Sequence, residues 1–321
     1  MKIAVLFAGQ GSQVPGMGKE LYEANTSFSS VIDQACAYAD RDLKTLMFED
    51  PDGTLSETRN TQPCLAAFAA GVWQLLKEMG VQADYAAGLS LGEYSALYAA
   101  GVLSLEDLMT LTVKRGGFMT EAGKGMDALM CAILGLDGEV LSGICENVTA
   151  SGIGRVEISN YNAVGQIVIS GEKPAVEKAA EAALEAGAKR AMTLNTSGAF
   201  HTSFMAPAGE ELKALMTEMN LDEKAAGMVM PVIFNVTAQP MGSTPDETLT
   251  SLLVRQVQQP VKMAQTIQYL ESQGVDTILE IGPGKTLSGF VRRTAKGIKC
   301  LAIEKPEDLE KVRAYLAQEE A

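Results

Sequence analysis

Histidine is almost absent from this chain: its 321 residues include one, His201. A histidine-rich metal site is thereby excluded, and any chemistry that needs an imidazole base has a single candidate. Cysteine is scarce as well. The five cysteines (Cys36, Cys64, Cys131, Cys145 and Cys300) are scattered, odd in number and without a CxxC pair. Neither a disulfide framework nor a metal site is indicated, and they read as small reduced side chains filling space. Positive charge is in deficit, with 26 Lys and Arg against 40 Asp and Glu and a net charge of −14. That balance disfavours nonspecific binding to nucleic acid. No apolar run approaches the roughly 20 residues of a membrane span. The apolar run at residues 3–7 is too short for a signal peptide and leads directly into Gly9-Gln10-Gly11. The expected place is the cytoplasm, with no nucleic acid and no membrane as partner.

What is present suits an α/β protein. Hydrophobic residues make up 47% of the chain and aromatics 6%, and the length allows one large unit or a large one plus a small one. Residues 2–7 predict a short buried strand ending in a glycine turn. Residues 63–79 predict a helix with Pro63 in its first turn and Gly80 as its stop. Residues 84–87 read as a strand, 91–100 as a helix closed by Gly101, and 275–281 and 300–303 as buried strands. Strands separated by helices imply a parallel sheet covered on both faces.

Between about residues 125 and 194 the rhythm changes. Residues 128–134 predict a strand, 138–148 a helix, 156–161 and 166–170 a hairpin pair, 174–186 a helix and 189–194 a last strand. The order βαββαβ is that of a ferredoxin-like unit. The expected organisation is a large α/β-hydrolase-like unit with a parallel sheet, from residues 1–124 and 195–321, interrupted by a small ferredoxin-like unit at 125–194.

Two glycine turns fail as nucleotide sites. Gly9-Gln10-Gly11-Ser12-Gln13-Val14 lacks the third glycine of the dinucleotide fingerprint. Gly284-Lys285-Thr286 resembles the end of a P-loop, but the first required glycine falls at Leu279. Gly88-Leu89-Ser90-Leu91-Gly92 is more informative. A serine between two glycines at this spacing is how a strand-to-helix elbow presents a nucleophile. Serine needs a base to take its proton, and His201 is the one imidazole available.

Several separated motifs then occur in one family's order. They are Gly9-Gln10-Gly11-Ser12-Gln13, Thr61-Gln62-Pro63, the elbow with Glu93, Arg115-Gly116 with Met119, and Asn160-Tyr161-Asn162 with Gly165-Gln166. Gly198-Ala199-Phe200-His201, Gln256 with Pro260-Val261, and Glu280-Ile281-Gly282-Pro283-Gly284-Lys285 follow. Taken together the chain resembles the malonyl-CoA:acyl-carrier-protein transacylases of bacterial type II fatty-acid synthesis. It departs from that family at Leu89, where the family usually has histidine.

The resemblance implies a double displacement in which Ser90 attacks the thioester of malonyl-CoA while His201 removes its proton. The malonyl group then passes to the phosphopantetheine thiol of an acyl carrier protein, with no metal and no cofactor of the enzyme's own. The backbone N–H of Leu91, directly after the nucleophile, and the turn at Gln10 are the expected oxyanion donors. In the family a backbone carbonyl near Gln256 orients the base, and Gln256 is assigned that role. Arg115 is expected to pair with the malonyl carboxylate, which acetate lacks. Phe200 resembles the bulky residue that crowds an α-methyl branch. Gln62, Asn160 and Asn162 read either as pocket residues or as structural hydrogen-bonders. Since carrier proteins are typically acidic and this chain is too, docking calls for a local positive patch. Lys189, Arg190, Arg292 and Arg293 are its candidates.

Three other readings share parts of this pattern. A serine acyl hydrolase has the same elbow, but usually carries its histidine close to the C-terminus, whereas a long segment follows His201 here. A stand-alone acyltransferase of a polyketide pathway has the same chemistry and a different carrier. A noncatalytic acyl-CoA or carrier binder would need neither Ser90 nor His201.

Overall fold

β1 (Ile3–Phe7) is buried at all five positions and lies at the centre of a parallel sheet. The computed structural model of the chain describes residues 1–194, 196, 198–244 and 247–319. Residues 195 and 321, the expected ends of the second segment of the large unit, lie outside the described residues.

On one side of β1 lie β2 (Tyr85–Gly88) and β7 (Val232–Ile233); on the other lie β8 (Thr277–Ile281) and β9 (Lys299–Ile303). All four pairings are parallel, and Phe7 is in register with both Gly88 and Ile281. The carboxyl ends of β1, β2 and β8 therefore finish at one level. The chain adds strands first to one side of β1 and later to the other. The crevice beyond the carboxyl ends at such a reversal is where open α/β sheets place their sites.

The second sheet is antiparallel, in the order β4 (Val156–Ala163), β5 (Gln166–Glu172), β3 (Ala128–Leu134), β6 (Arg190–Leu194). Helices Gly138–Ala150 and Lys173–Glu185 pack on it around their own core of Ile133, Leu141, Ile169 and Val176. The strand order is that of a ferredoxin-like unit. Its β4 also bridges to the large unit at Asn160 and Val261.

One element begins earlier than its local sequence suggests. The helix expected from residue 63 runs over Thr58–Glu78, with Pro63 inside it. A proline there removes the N–H that would satisfy the Arg59 carbonyl. Arg41 Nη1 donates to that carbonyl at 2.7 Å, so the helix continues through the proline. The helix is buried on nearly every side, and Gly71 lets the Phe28 ring lie against it where a Cβ would sit 2.6 Å from ring carbons. This placement puts Gln62 in the second turn of the helix, beside Arg115 on the Leu105–Ala122 helix.

Candidate active site

The elbow forms because three glycines let backbone segments touch. A Cβ on Gly92 would meet the Phe7 carbonyl oxygen at 2.1 Å, one on Gly88 the Gly92 backbone at 2.0 Å, and one on Gly9 the Leu89 carbonyl oxygen at 2.3 Å. The turn leaves β2 and enters the helix Gly92–Ala99 with Ser90 at φ 53°, a left-handed conformation that is strained for a residue with a side chain. Among the described residues, the backbone N–H groups of Leu91 and Gln10 have no hydrogen-bond partner. The two expected oxyanion donors are thus both free, while the Gln10 side chain is tied to Thr58 Oγ1 at 3.0 Å.

His201, itself at φ 58°, is brought to the elbow from the far side. Its Nε2 is 2.7 Å from Ser90 Oγ, and its Nδ1 is 2.7 Å from the Gln256 carbonyl oxygen. A carbonyl can only accept, so Nδ1 carries the hydrogen and Nε2 is left with its lone pair towards the serine hydroxyl. Burial, and next the charge of Arg115, push His201 down to about 4, against a smaller opposing effect of the Gln256 carbonyl. The imidazole is therefore neutral near pH 7 and able to take a proton. The Gln256 side chain does further work, since Nε2 donates to the Ser90 carbonyl at 2.6 Å and Oε1 accepts from Arg115 at 2.9 Å.

Arg115 is 1% exposed, and among the described residues it forms no ion pair. Its Nη1 donates to Gln62 Oε1 at 2.8 Å, its Nη2 to Ser90 Oγ at 3.1 Å, and its guanidinium lies 5.2 Å from the centre of the Tyr94 ring. A buried guanidinium with only neutral partners is ready for a carboxylate.

These groups face a cavity of about 140 Å³, lined also by Phe200, Asn160 and Asn162. Asn160 Oδ1 accepts from Ser159 Oγ at 2.9 Å, whereas among the described residues Asn162 Oδ1 is buried without a partner. A larger cavity of about 540 Å³ adjoins it, and Gln10, Leu89 and Asn162 line both. Leu89, in the position of the family's usual histidine, thus presents an apolar wall to both spaces.

The two basic clusters meet in space. Arg190 is in register with Leu134, Leu134 with Gln166, and Gln166 Oε1 accepts from Arg293 Nη1 at 2.6 Å. Lys189, Arg190 and Arg293 are exposed at this end of the antiparallel sheet, Arg292 is exposed next to Arg293 in the chain, and Gln166 lines the larger cavity.

Two residues without an expected role also belong to the site. Asn235 is fully buried, and its Oδ1 accepts from the Ser90 N–H at 2.8 Å. Glu93 is fully buried and accepts from the Asn235 N–H at 2.5 Å; burial pushes its carboxyl up to about 8. Glu93 lies inside the elbow motif, where a charged residue one turn beyond the nucleophile on an otherwise uncharged helix is the available signal. Asn235 had no local signal.

The arrangement can lower the barrier to attack of Ser90 on an acyl carbonyl and to the return of the proton to a leaving group. Such chemistry belongs to enzymes that pass an acyl group through a serine ester. A family model described as an acyl transferase domain matches residues 5–310. The malonyl CoA-acyl carrier protein transacylase of Bacillus subtilis (strain 168) is 42% identical over 318 residues, covering 99% of this chain and 98% of that protein. A crystal structure of malonyl CoA-acyl carrier protein transacylase from Clostridium perfringens ATCC 13124 superposes with a TM-score of 0.89 at 38% identity, covering 100% of this chain and 98% of that one. A malonyl-transacylase in complex with its type II PKS acyl-carrier protein matches at a TM-score of 0.89 and 34% identity, covering 98% and 100%. The chain belongs to the acyltransferase family, among the malonyl CoA-acyl carrier protein transacylases.

Proposed function

We propose that the protein transfers the malonyl group from malonyl-CoA to the phosphopantetheine thiol of an acyl carrier protein, in fatty-acid synthesis, through a malonyl ester on Ser90. The observation that carries this reading is Ser90 Oγ lying 2.7 Å from His201 Nε2 and 3.1 Å from the Arg115 guanidinium. The first group supplies the base, and the second selects an acyl chain that ends in a carboxylate.

In the first half-reaction the Ser90 proton moves to His201 Nε2 as Oγ bonds to the thioester carbon. The carbonyl electron pair moves onto oxygen, where the Leu91 and Gln10 N–H groups are free to receive it. Collapse breaks the carbon–sulfur bond, and His201 returns its proton to the CoA sulfur. In the second half the carrier thiol gives its proton to His201 and attacks the ester carbonyl, and Ser90 leaves with that proton. Every proton and electron pair is accounted for by the substrates and these residues, so the transfer needs no cofactor of the enzyme's own.

Gln62 and Gln256 hold the guanidinium in place. Asn162 Oδ1, lining both cavities, suits an amide N–H of the pantetheine arm, while Asn160 braces the wall. Phe200 limits room beside the acyl α-carbon, a discrimination worth roughly 1–3 kcal/mol per methyl. The converged Lys189, Arg190, Arg292 and Arg293 form the docking face for the acidic carrier. With the unit boundaries taken at 1–124, 125–194 and 195–321, this face belongs to the small unit and to the helix Thr286–Thr294. We assign the protein to the cytoplasm. A polyketide carrier is the second reading, favoured by the likeness to a transacylase solved with such a partner.

The test is transfer itself. With holo carrier protein present, malonyl-CoA consumption should match carrier acylation. Consumption that proceeds equally without carrier would mark a hydrolase instead.

A further inference from the structure

Three of the four amides from Leu89 to Gly92 are already spoken for. The Leu89 N–H donates to the Phe7 carbonyl at 2.9 Å, the Gly92 N–H to the Leu89 carbonyl at 3.0 Å, and the Ser90 N–H to Asn235 Oδ1 at 2.8 Å. The Leu91 N–H is the exception among these described residues. Two of the three bonds are main chain to main chain. The third depends on one side chain from 145 residues away.

Asn235 follows β7 in a tight turn closed by the Ala238 N–H on the Phe234 carbonyl at 2.8 Å, with Ala238 at φ 55°. All four of its polar groups are engaged. Oδ1 holds Ser90 N–H, Nδ2 donates to the Gly88 carbonyl at 2.7 Å, its N–H donates to Glu93 Oε2, and its carbonyl accepts from Lys262 N–H at 2.8 Å. The side chain thus clasps both ends of the Gly88–Ser90 turn, and Glu93, in the first turn of the following helix, holds the clasp. Gln256 Nε2 takes the Ser90 carbonyl from the other side. A left-handed residue with a side chain persists only where its surroundings over-determine it.

We propose that Asn235, held by Glu93, is a positioning residue for acyl transfer. By taking up the Ser90 N–H it keeps the serine left-handed and leaves the Leu91 N–H as the elbow's donor to the oxyanion. The inference rests on Ser90 being the nucleophile. Without the clasp, Ser90 Oγ and the Leu91 N–H lose their shared geometry, which weakens the transition state more than substrate binding.

The experiment compares malonyl loading in wild type, Asn235→Ala, Glu93→Ala and Glu93→Gln. Asn235→Ala should lower kcat on the order of 30- to 100-fold, as expected for a misplaced reacting group. KM for malonyl-CoA should stay within about threefold. Glu93→Ala should lower kcat in the same direction, and Glu93→Gln, whose amide oxygen accepts the same N–H, should recover most of the loss. A kcat for Asn235→Ala within threefold of wild type, or a loss carried by KM, would overturn the proposal. Wild type treated with an organophosphonate fluoride gives a second readout that does not depend on a variant folding. In a crystal structure of that adduct, the phosphoryl oxygen should sit on the Leu91 N–H while Asn235 keeps the Ser90 N–H. An oxygen on the Ser90 N–H with Asn235 displaced would refute it. If wild type forms no Ser90 adduct from malonyl-CoA, the nucleophile assignment itself falls, which is a separate failure.

Discussion

The Arg115 guanidinium lies 3.1 Å from Ser90 Oγ, one hydrogen bond from the atom proposed to carry the acyl group. A malonyl ester on that oxygen ends in a carboxylate one methylene beyond its carbonyl, within the reach of the same guanidinium. The charge of Arg115 is also the second cause, after burial, of the low proton affinity of His201. A bound malonyl carboxylate offsets that charge. A malonyl group paired with Arg115 is therefore expected to leave His201 a stronger base than an acetyl group would.

Acetyl-CoA should accordingly fail in two ways, binding without a partner for Arg115 and reacting before a weaker base. Arg115→Ala should lower kcat/KM for malonyl-CoA by about 3–5 kcal/mol, the cost of leaving a buried charge unpaired, and change acetyl-CoA turnover far less. Steady-state rates with both thioesters decide this. Equal losses on the two would remove Arg115 from acyl selection.

His201→Ala should slow malonyl loading by about a thousandfold or more, because among the side chains of this chain no second imidazole exists. The check is stopped-flow loading of Ser90, with circular dichroism confirming that the variant is folded. Near-normal loading would mean that another group takes the proton.

The pH profile follows from the sign of the His201 shift. The base is active when neutral, and burial with the Arg115 charge lowers its value from 6.5 to about 4. The kcat/KM for loading, which reports the free enzyme, should stay flat as pH falls through 6.5 and decline only towards about 4. Because this histidine stays neutral in the fold while an unfolded one would protonate, its contribution to stability is full above 6.5 and shrinks as pH falls towards about 4. A half-loss of activity near 6.5 in kcat/KM would place the base in an ordinary aqueous setting.

Gln256→Ala separates main chain from side chain. The carbonyl that fixes the His201 tautomer remains, while the ties to the Ser90 carbonyl and Arg115 are lost. Activity should fall by about 10- to 100-fold, less than for His201→Ala, with the pH midpoint little changed. A loss equal to that of His201→Ala would show that the amide, and not the carbonyl, supports the base.

Charge reversal at Arg190 and Arg293 should raise KM for carrier protein several-fold and steepen with falling salt, leaving malonyl-CoA loading unchanged. Measuring the two half-reactions separately tests this. Equal damage to both would remove these residues from docking.

Much of this architecture was legible locally. β3 falls at the expected residues, and β1, β2, β8 and β9 fall close to theirs, whereas the two-residue β7 had no strand signal; Ser90, His201 and Arg115, distant in sequence, lie together in the fold. What escaped depends on contacts between distant segments. Pro63 reads as a helix start until Arg41 is seen to replace the missing donor. Asn235 has no meaning until β7 pairs beside β2 and brings it under the elbow. The two basic clusters look independent until the Leu134–Gln166 register joins them. The Gln256 assignment concerned its carbonyl, and the clamp made by its side chain emerges only once Arg115 and Ser90 share a wall.

The most direct test of acyl transfer through Ser90 is intact-protein mass spectrometry. The enzyme is mixed with malonyl-CoA; one portion is digested for site mapping, and the rest is chased intact with holo carrier protein. The account predicts one malonyl adduct on Ser90 that disappears as the carrier gains the same mass. An enzyme that consumes malonyl-CoA with no adduct on Ser90 and no acylated carrier would contradict it.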